Sequence, residues 1–137
     1  MAITMNRFRT LTVLVLVNLV ASILHFGDNV IHFHEYPEPA WIPSAHVVDA
    51  LWFVITPLLL SAWWLASRNF RPAAIALLVL YGALSMLVLG HFRFEPPSAL
   101  SFRVNLLIWA EAFAAFLLVV LAPVLVVNRS AVRQASN

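Results

Sequence analysis

Residues Val47–Ala66 read VVDALWFVITPLLLSAWWLA, a run of apolar side chains interrupted by one charged residue, Asp49. A helix needs roughly 20 apolar residues to cross the hydrocarbon core of a bilayer. Backbone N–H and C=O groups have no water to bond there, so such a run is helical. Three further stretches have the same character: Thr10–Phe26, Pro72–His91 and Leu100–Val127. The first is short, but it can continue through Asp28 toward His32. Across 137 residues the chain is 63% hydrophobic and only 10% charged, with a mean hydropathy of +0.92. That balance excludes an ordinary soluble domain. The expected fold is all-α: one domain over residues 1–137, an integral membrane four-helix bundle with helices near 10–34, 45–66, 72–91 and 99–127.

The charges orient the bundle. Every basic residue is arginine. Arg7, Arg9, Arg68, Arg71, Arg129 and Arg133 flank one side of the spans, and only Arg93 and Arg103 flank the other. Positive charge accumulates on the cytoplasmic side, so both termini and the middle loop are expected there. Arginines scattered around membrane segments form no basic stripe, and nucleic acid is therefore not an expected partner. With no cysteine, disulfides and thiolate chemistry are excluded. Arg7 and Arg9 precede an apolar run as in a signal peptide, but the run carries no A-x-A site and is expected to be retained. An arginine-only, alanine-rich composition suggests a GC-rich bacterial source and hence a plasma membrane.

Several prolines and small residues fit this scheme. Pro57 and Pro123 fall inside spans, where neighbouring groups can satisfy the freed carbonyls. Ser44 and Ser98 are expected N-caps of helices two and four. Gly82, Met86 and Gly90 share a stripe at helical spacing, with Ser85 beside it, which would permit close helix approach. The two outer turns, His32–Pro39 and His91–Ala99, are both aromatic and rich in Glu-Pro, as a parallel internal repeat would be.

Ionisable residues crowd the side opposite most arginines. They are His25, Asp28, His32, His34, Glu35, Glu38, His46, Asp49, His91 and Glu95, while Glu111 lies within the last apolar stretch. Burying such a group in hydrocarbon is expensive, so it normally faces the bundle interior and marks a site. His25, Asp28, Asn29 and His32 share one side of a continued first helix. His46 and Asp49 are i,i+3 neighbours at the start of the second. Loop groups such as His32, His34, Glu35, Glu38 and Glu95 are expected to be solvated. Asn18 and Asn105 read as hydrogen-bond links between helices. A metal would have to use His25, His32, His46 and His91, but no H-E-x-x-H or E-x-x-H pair is present, so no cofactor is expected.

The stretch Pro37-Glu38-Pro39-Ala40-Trp41, followed by Asp49 and Pro57, resembles the start of the second helix in the EXPERA-domain family. The Arg68-x-x-Arg71-Pro72 start of helix three, a histidine near an acid on helix one and a late proline on helix four, Pro123, agree with it. The resemblance implies four helices with cytosolic termini and a cavity for a sterol-like or isoprenoid lipid. It also implies either double-bond isomerisation or simple ligand binding there. By that resemblance His25 takes the place of the isomerase histidine. Asn29 stands where the isomerase has an acid, with Asp28 adjacent, and Asp49 matches the acid of helix two. Trp109 does not have the offset from Pro123 that the isomerase tryptophan has.

Shifting a double bond needs a proton delivered to one carbon and another removed nearby, which two groups in different environments can do. His25, Asp28 and Asp49 are thus the expected catalytic set, with Asn29, Trp52, Trp109 and Glu111 as ligand-binding candidates. A hydrophobic small molecule or lipid is the expected partner, and a homodimer is compatible with the chain. The competing expectations are a non-catalytic lipid-binding or chaperone-like protein and a metal-binding membrane subunit.

Overall fold

The computed structural model describes residues 3–127. Arg129 and Arg133, which contribute to the charge asymmetry, lie outside the described residues. The described residues contain four α-helices: α1 (Met5–Ile31), α2 (Ala45–Ser67), α3 (Arg71–Ser85) and α4 (Phe102–Val126). Helix α3 runs straight on as a 3-10 segment, Met86–Arg93. Single 3-10 turns occupy Phe33–Glu35 and Pro97–Ala99. Counting α3 with its extension, all four helices are long and apolar enough to cross a membrane.

Each helix packs on its two neighbours in a closed ring, α1 on α2, α2 on α3, α3 on α4 and α4 on α1. Short connections make neighbours antiparallel, so both ends of the described chain meet at one end of the bundle. There the Arg7 guanidinium donates to the Val127 carbonyl at 2.9 Å, and the Ile3 amide donates to Asn69 Oδ1 at 3.3 Å. Large apolar side chains such as Val13, Leu24, Phe53, Val54, Phe113 and Phe116 point outward along the spans. In water such a surface would associate; against acyl chains it is the expected exterior.

The core of the termini end is apolar: Leu11, Val15, Leu59, Leu78, Leu118 and Val126 cluster there. Gly82 makes this packing tight. A Cβ at that position would lie 2.5 Å from Val119 Cγ2 and 3.1 Å from the Ala115 carbonyl, so α3 and α4 touch through backbone. Gly90, from the same sequence stripe, has nothing within 4 Å of such a Cβ.

Helix α2 stops where Asn69 adopts a left-handed φ of 62°. The Phe70 amide bonds the Leu65 carbonyl at 2.9 Å and the Asn69 amide bonds Ala66 at 3.1 Å, which satisfies the last carbonyls and reverses the chain. At the opposite end the caps differ in part from expectation. Ser44 does precede α2, without a side-chain bond. Helix α4 is capped by Ser101, whose hydroxyl accepts from the Val104 amide at 3.2 Å, and not by Ser98, which sits in the preceding 3-10 turn.

The change of helical pitch in the third span has consequences for the site. A 3-10 helix has three residues per turn, so positions three apart eclipse. Ser85, Val88 and His91 therefore form one buried row. Had the α geometry of 3.6 residues per turn continued, His91 would have rotated about 120° away from Ser85.

Candidate functional site

Between α1, α2 and the 3-10 segment, in the half of the bundle away from the termini, lies a cavity of about 630 Å³. Its walls are apolar: Phe26, Ile42, Leu51, Ile55 and Leu84 contribute, and Trp41, Arg93 and Phe94 line its exposed side. Its inner polar lining comes from five separate elements: His25 and Asn29 from α1, Glu38 from the proline-flanked loop, Ser85 from α3, His91 from the 3-10 segment and Glu111 from α4.

His25 and Glu111 are the closest pair, with Nδ1 and Oε2 2.5 Å apart and side chains only 3% and 2% exposed. Glu111 reaches this point because it sits on the inward stripe Val104, Ile108, Glu111, Ala115 and Leu118 of α4. It lies about 13 Å below the start of that helix at 1.5 Å per residue. His25 belongs to the matching stripe of α1, which runs Leu11, Val15, Asn18, Ser22, His25, Asn29. One nitrogen of the ring is thus committed to a carboxylate, and the other, Nε2, has no hydrogen-bond partner although buried. Glu111 Oε1 and Asn29 Oδ1 are buried and unpartnered as well. Buried polar atoms are normally paired. Three unpaired ones belong to residues that line this one cavity.

Glu38 closes the upper side. Its Oε1 accepts from the Asn29 amide at 2.5 Å and stands 3.8 Å from His91 Nε2. His91 donates from Nδ1 to the Pro37 carbonyl at 3.2 Å, which leaves Nε2 as the nitrogen facing Glu38. The Tyr36 ring packs against both imidazoles, with centroids 5.5 Å from His25 and 5.6 Å from His91. Its hydroxyl donates to Asp28 Oδ2 at 2.8 Å. Burial, reinforced by that bond and the neighbouring carboxylate, pushes the phenol well above its ordinary range, so Tyr36 remains a neutral donor.

Asp28 itself is engaged elsewhere. It pairs with Arg103 at the start of α4, and the same guanidinium binds Glu35 at 2.5 Å and donates to His32 Nδ1 at 2.7 Å. This cluster clamps the end of α1 and its following turn onto α4, which fixes the loop that carries Glu38.

The structure thus redistributes the residues singled out from sequence. It brings His25, Asn29 and Glu111 together, with His91 beside them. Asp28 lies in the neighbouring clamp, bound to Arg103, and does not line the cavity. Asp49 is exposed on the flank of α2 and faces away from His25, because Val48 takes the inward position. Trp52 is half-buried and spends its indole N–H on Ser22 Oγ at 3.1 Å, outside the cavity. Trp109 is on the outer face of α4, 54% exposed and 5.5 Å from the Phe92 ring. His32 is in the arginine clamp, and His46 is exposed beside a separate shallow groove that also contains His34. Among the described residues, no cluster of three or more His, Cys, Asp or Glu side chains is arranged to hold a metal.

Two sequence readings are corrected. Glu38, expected to be solvated, has a side chain only 6% exposed and belongs to the site. Its flanking prolines, which stiffen the loop and aim it inward, were the signal available. Asn18 does link helices, donating to the Ala114 carbonyl at 3.0 Å. Asn105, in contrast, bonds the carbonyls of Pro97, Leu100 and Ser101 and secures the turn before α4.

Comparison with known proteins returned no matching family model, no matching curated relative and no matching solved structure.

Proposed function

We propose that this chain is a multi-pass membrane protein of EXPERA type whose cavity binds a sterol-like or isoprenoid lipid, with the His25–Glu111 pair moving a proton to or from it. The observation that carries the reading is the position of that pair. Two ionisable side chains, almost wholly buried, present unpartnered atoms to a cavity whose walls are otherwise hydrocarbon. A lipid entering beside Trp41 and Phe94 would lay its apolar body along Ile42, Leu51, Ile55 and Leu84 and bring one reactive or polar carbon to His25.

The chemistry follows from the geometry. An imidazolium N–H at Nε2 can protonate one carbon of a double bond, and a carboxylate can remove a proton from a neighbouring carbon, so the double bond moves and the proton count is unchanged. The Phe26 ring lines the cavity and offers a π face to positive charge between the two steps. In this reading Glu111 takes the role that the sequence resemblance assigned to Asp49. The cytosolic orientation of the termini rests on the arginine distribution, and a plasma-membrane location on the arginine-only, alanine-rich composition.

The test is native mass spectrometry of protein purified in mild detergent, followed by incubation of the co-purified lipid with the protein in D2O. The reading expects a bound lipid that acquires carbon-bound deuterium, with deuteration abolished in Glu111→Gln and His25→Ala. A lipid that binds but never exchanges would leave a binding protein without catalysis. Absence of any lipid would overturn the assignment of the cavity.

A further inference from the structure

Deuterium from D2O can reach the lipid only if the buried pair exchanges its protons with water, and the carboxylate and imidazole that lead away from the pair lie on the loop side. Toward the termini end, the inward stripe of α1 changes from Asn18 to Val15 and Leu11, which pack on Leu59, Leu78 and Leu118. The Asn18 amide is itself consumed by the Leu14 and Ala114 carbonyls. Among the described residues, the carboxylate and imidazole buried beside His25 and Glu111 are Glu38 and His91, 6% and 9% exposed, and both lie toward the loops. The Tyr81 phenol on α3 is buried too, at 1% exposed, but a phenol ordinarily holds its proton through neutral pH.

We propose that Glu38 and His91 form the proton-exchange route between the His25–Glu111 pair and water at the loop end of the bundle. The inference rests on the acid–base reading of the site. The charged and titratable groups around the route are His25, Asp28 and His32 at the end of α1, Glu35, Tyr36 and Glu38 in the loop, Tyr81 on α3, His91 and Arg93 on the 3-10 segment, and Arg103 and Glu111 on α4. Asp28 and Glu35 are both bound to Arg103, and the Tyr36 phenol donates to Asp28. None of these three is placed to carry a proton inward. Glu38 and His91 remain, and the His91 imidazole centroid is 5.7 Å from that of His25, whose Nε2 is unpartnered.

The proton balance is simple. The Glu38 carboxyl, 3.8 Å from His91 Nε2, closes to hydrogen-bond distance to give that nitrogen its proton and regains one from water at the cavity mouth. His91 keeps its Nδ1–H on the Pro37 carbonyl, so the proton leaves again from Nε2. A water or ligand hydroxyl in the cavity passes it to His25 Nε2, while the His25 Nδ1–H moves to Glu111 Oε2. One proton has entered and rests on Glu111; the reverse sequence returns it.

The test needs no substrate. The full chain, labelled with ring-15N histidine and placed in phosphatidylcholine nanodiscs, gives the exchange rate of the His25 ring proton with water by NMR, assigned by loss of the signal in His25→Gln. Glu38→Gln keeps an oxygen that can accept from Asn29, and so preserves the loop while removing the ionisable group. Glu38→Gln and His91→Gln should each slow the exchange by roughly tenfold or more, a modest share of what a positioned proton-transfer group supplies. The double variant should be no slower than the slower single one, because the groups act in series. Asp49→Asn should leave the rate as it is. Rates unchanged or faster in either single variant, or singles whose effects multiply, would overturn the route. Lipid retention measured on the same samples reports separately on the cavity, so a failed route and a failed ligand site give different results.

Discussion

The His25–Glu111 pair makes a quantitative demand on stability. Removing one partner of a buried, hydrogen-bonded pair leaves the other without compensation, which costs about 3–5 kcal/mol. Here the cost should lie at the upper part of that range, since the pair is 3% and 2% exposed and each residue already carries one unpartnered atom. Converted at about 1.4 kcal/mol per factor of ten, a 4 kcal/mol loss lowers the folded-to-unfolded ratio nearly a thousandfold. Replacing both partners by apolar residues removes the penalty, and such double replacements are commonly neutral or stabilising by about 1–4 kcal/mol. His25→Leu and Glu111→Leu should therefore each destabilise strongly, while the double variant recovers most of the loss. The assay is reversible unfolding of detergent-solubilised protein, followed by far-ultraviolet circular dichroism, as a double-mutant cycle. Single-variant losses that add in the double variant, with no coupling beyond about 0.5 kcal/mol, would mean that the two side chains do not interact and would remove the centre of the site.

Three further outcomes follow. Gly82→Ala forces a methyl against Val119 and the Ala115 carbonyl and should destabilise by about 1–3 kcal/mol, whereas Gly90→Ala meets open space and should change stability by less than about 1 kcal/mol in the same unfolding assay. Tyr36 is held neutral in the folded chain, so stability should be constant below the ordinary phenol value of 10.0 and fall as pH rises beyond it, where the unfolded chain loses the proton first. Tyr36→Phe should reduce that alkaline decline and lower stability at neutral pH by about 1 kcal/mol through loss of the Asp28 bond, measured by unfolding across a pH series. Asp49→Asn and Trp109→Ala touch nothing in the cavity, so lipid retention by native mass spectrometry should match the unsubstituted chain.

What sequence could determine here was everything that depends on solvent preference along one chain. The run Val47–Ala66 and its three counterparts needed only hydropathy and backbone pairing to become spans. The crowding of histidines and acids at one end of those spans was equally legible, because an ionisable group at the end of an apolar run is visible without coordinates. His25 and Asn29 were found by helical spacing from one another, a local property of α1. Glu111 was visible as an acid inside an oily stretch.

Pairing across helices was not legible. Which acid meets His25 depends on the rotation of α2 and α4 about their axes. Near the start of α2 the inward position went to Val48 and not to Asp49, while α4 turned Glu111 into the centre. Asp28, one residue before the buried Asn29, is rotated about 100° around the helix and meets Arg103, which lies seventy-five positions away in sequence. His91 reached the site only because the third span changes from α to 3-10 geometry after Ser85, and hydropathy does not register pitch. Glu38 was carried inward by a loop clamped through Arg103 and capped by two prolines. Composition fixes which side chains avoid lipid, but rotation, pitch and long-range ion pairing, which depend on the packed neighbours, decide which of them face one another.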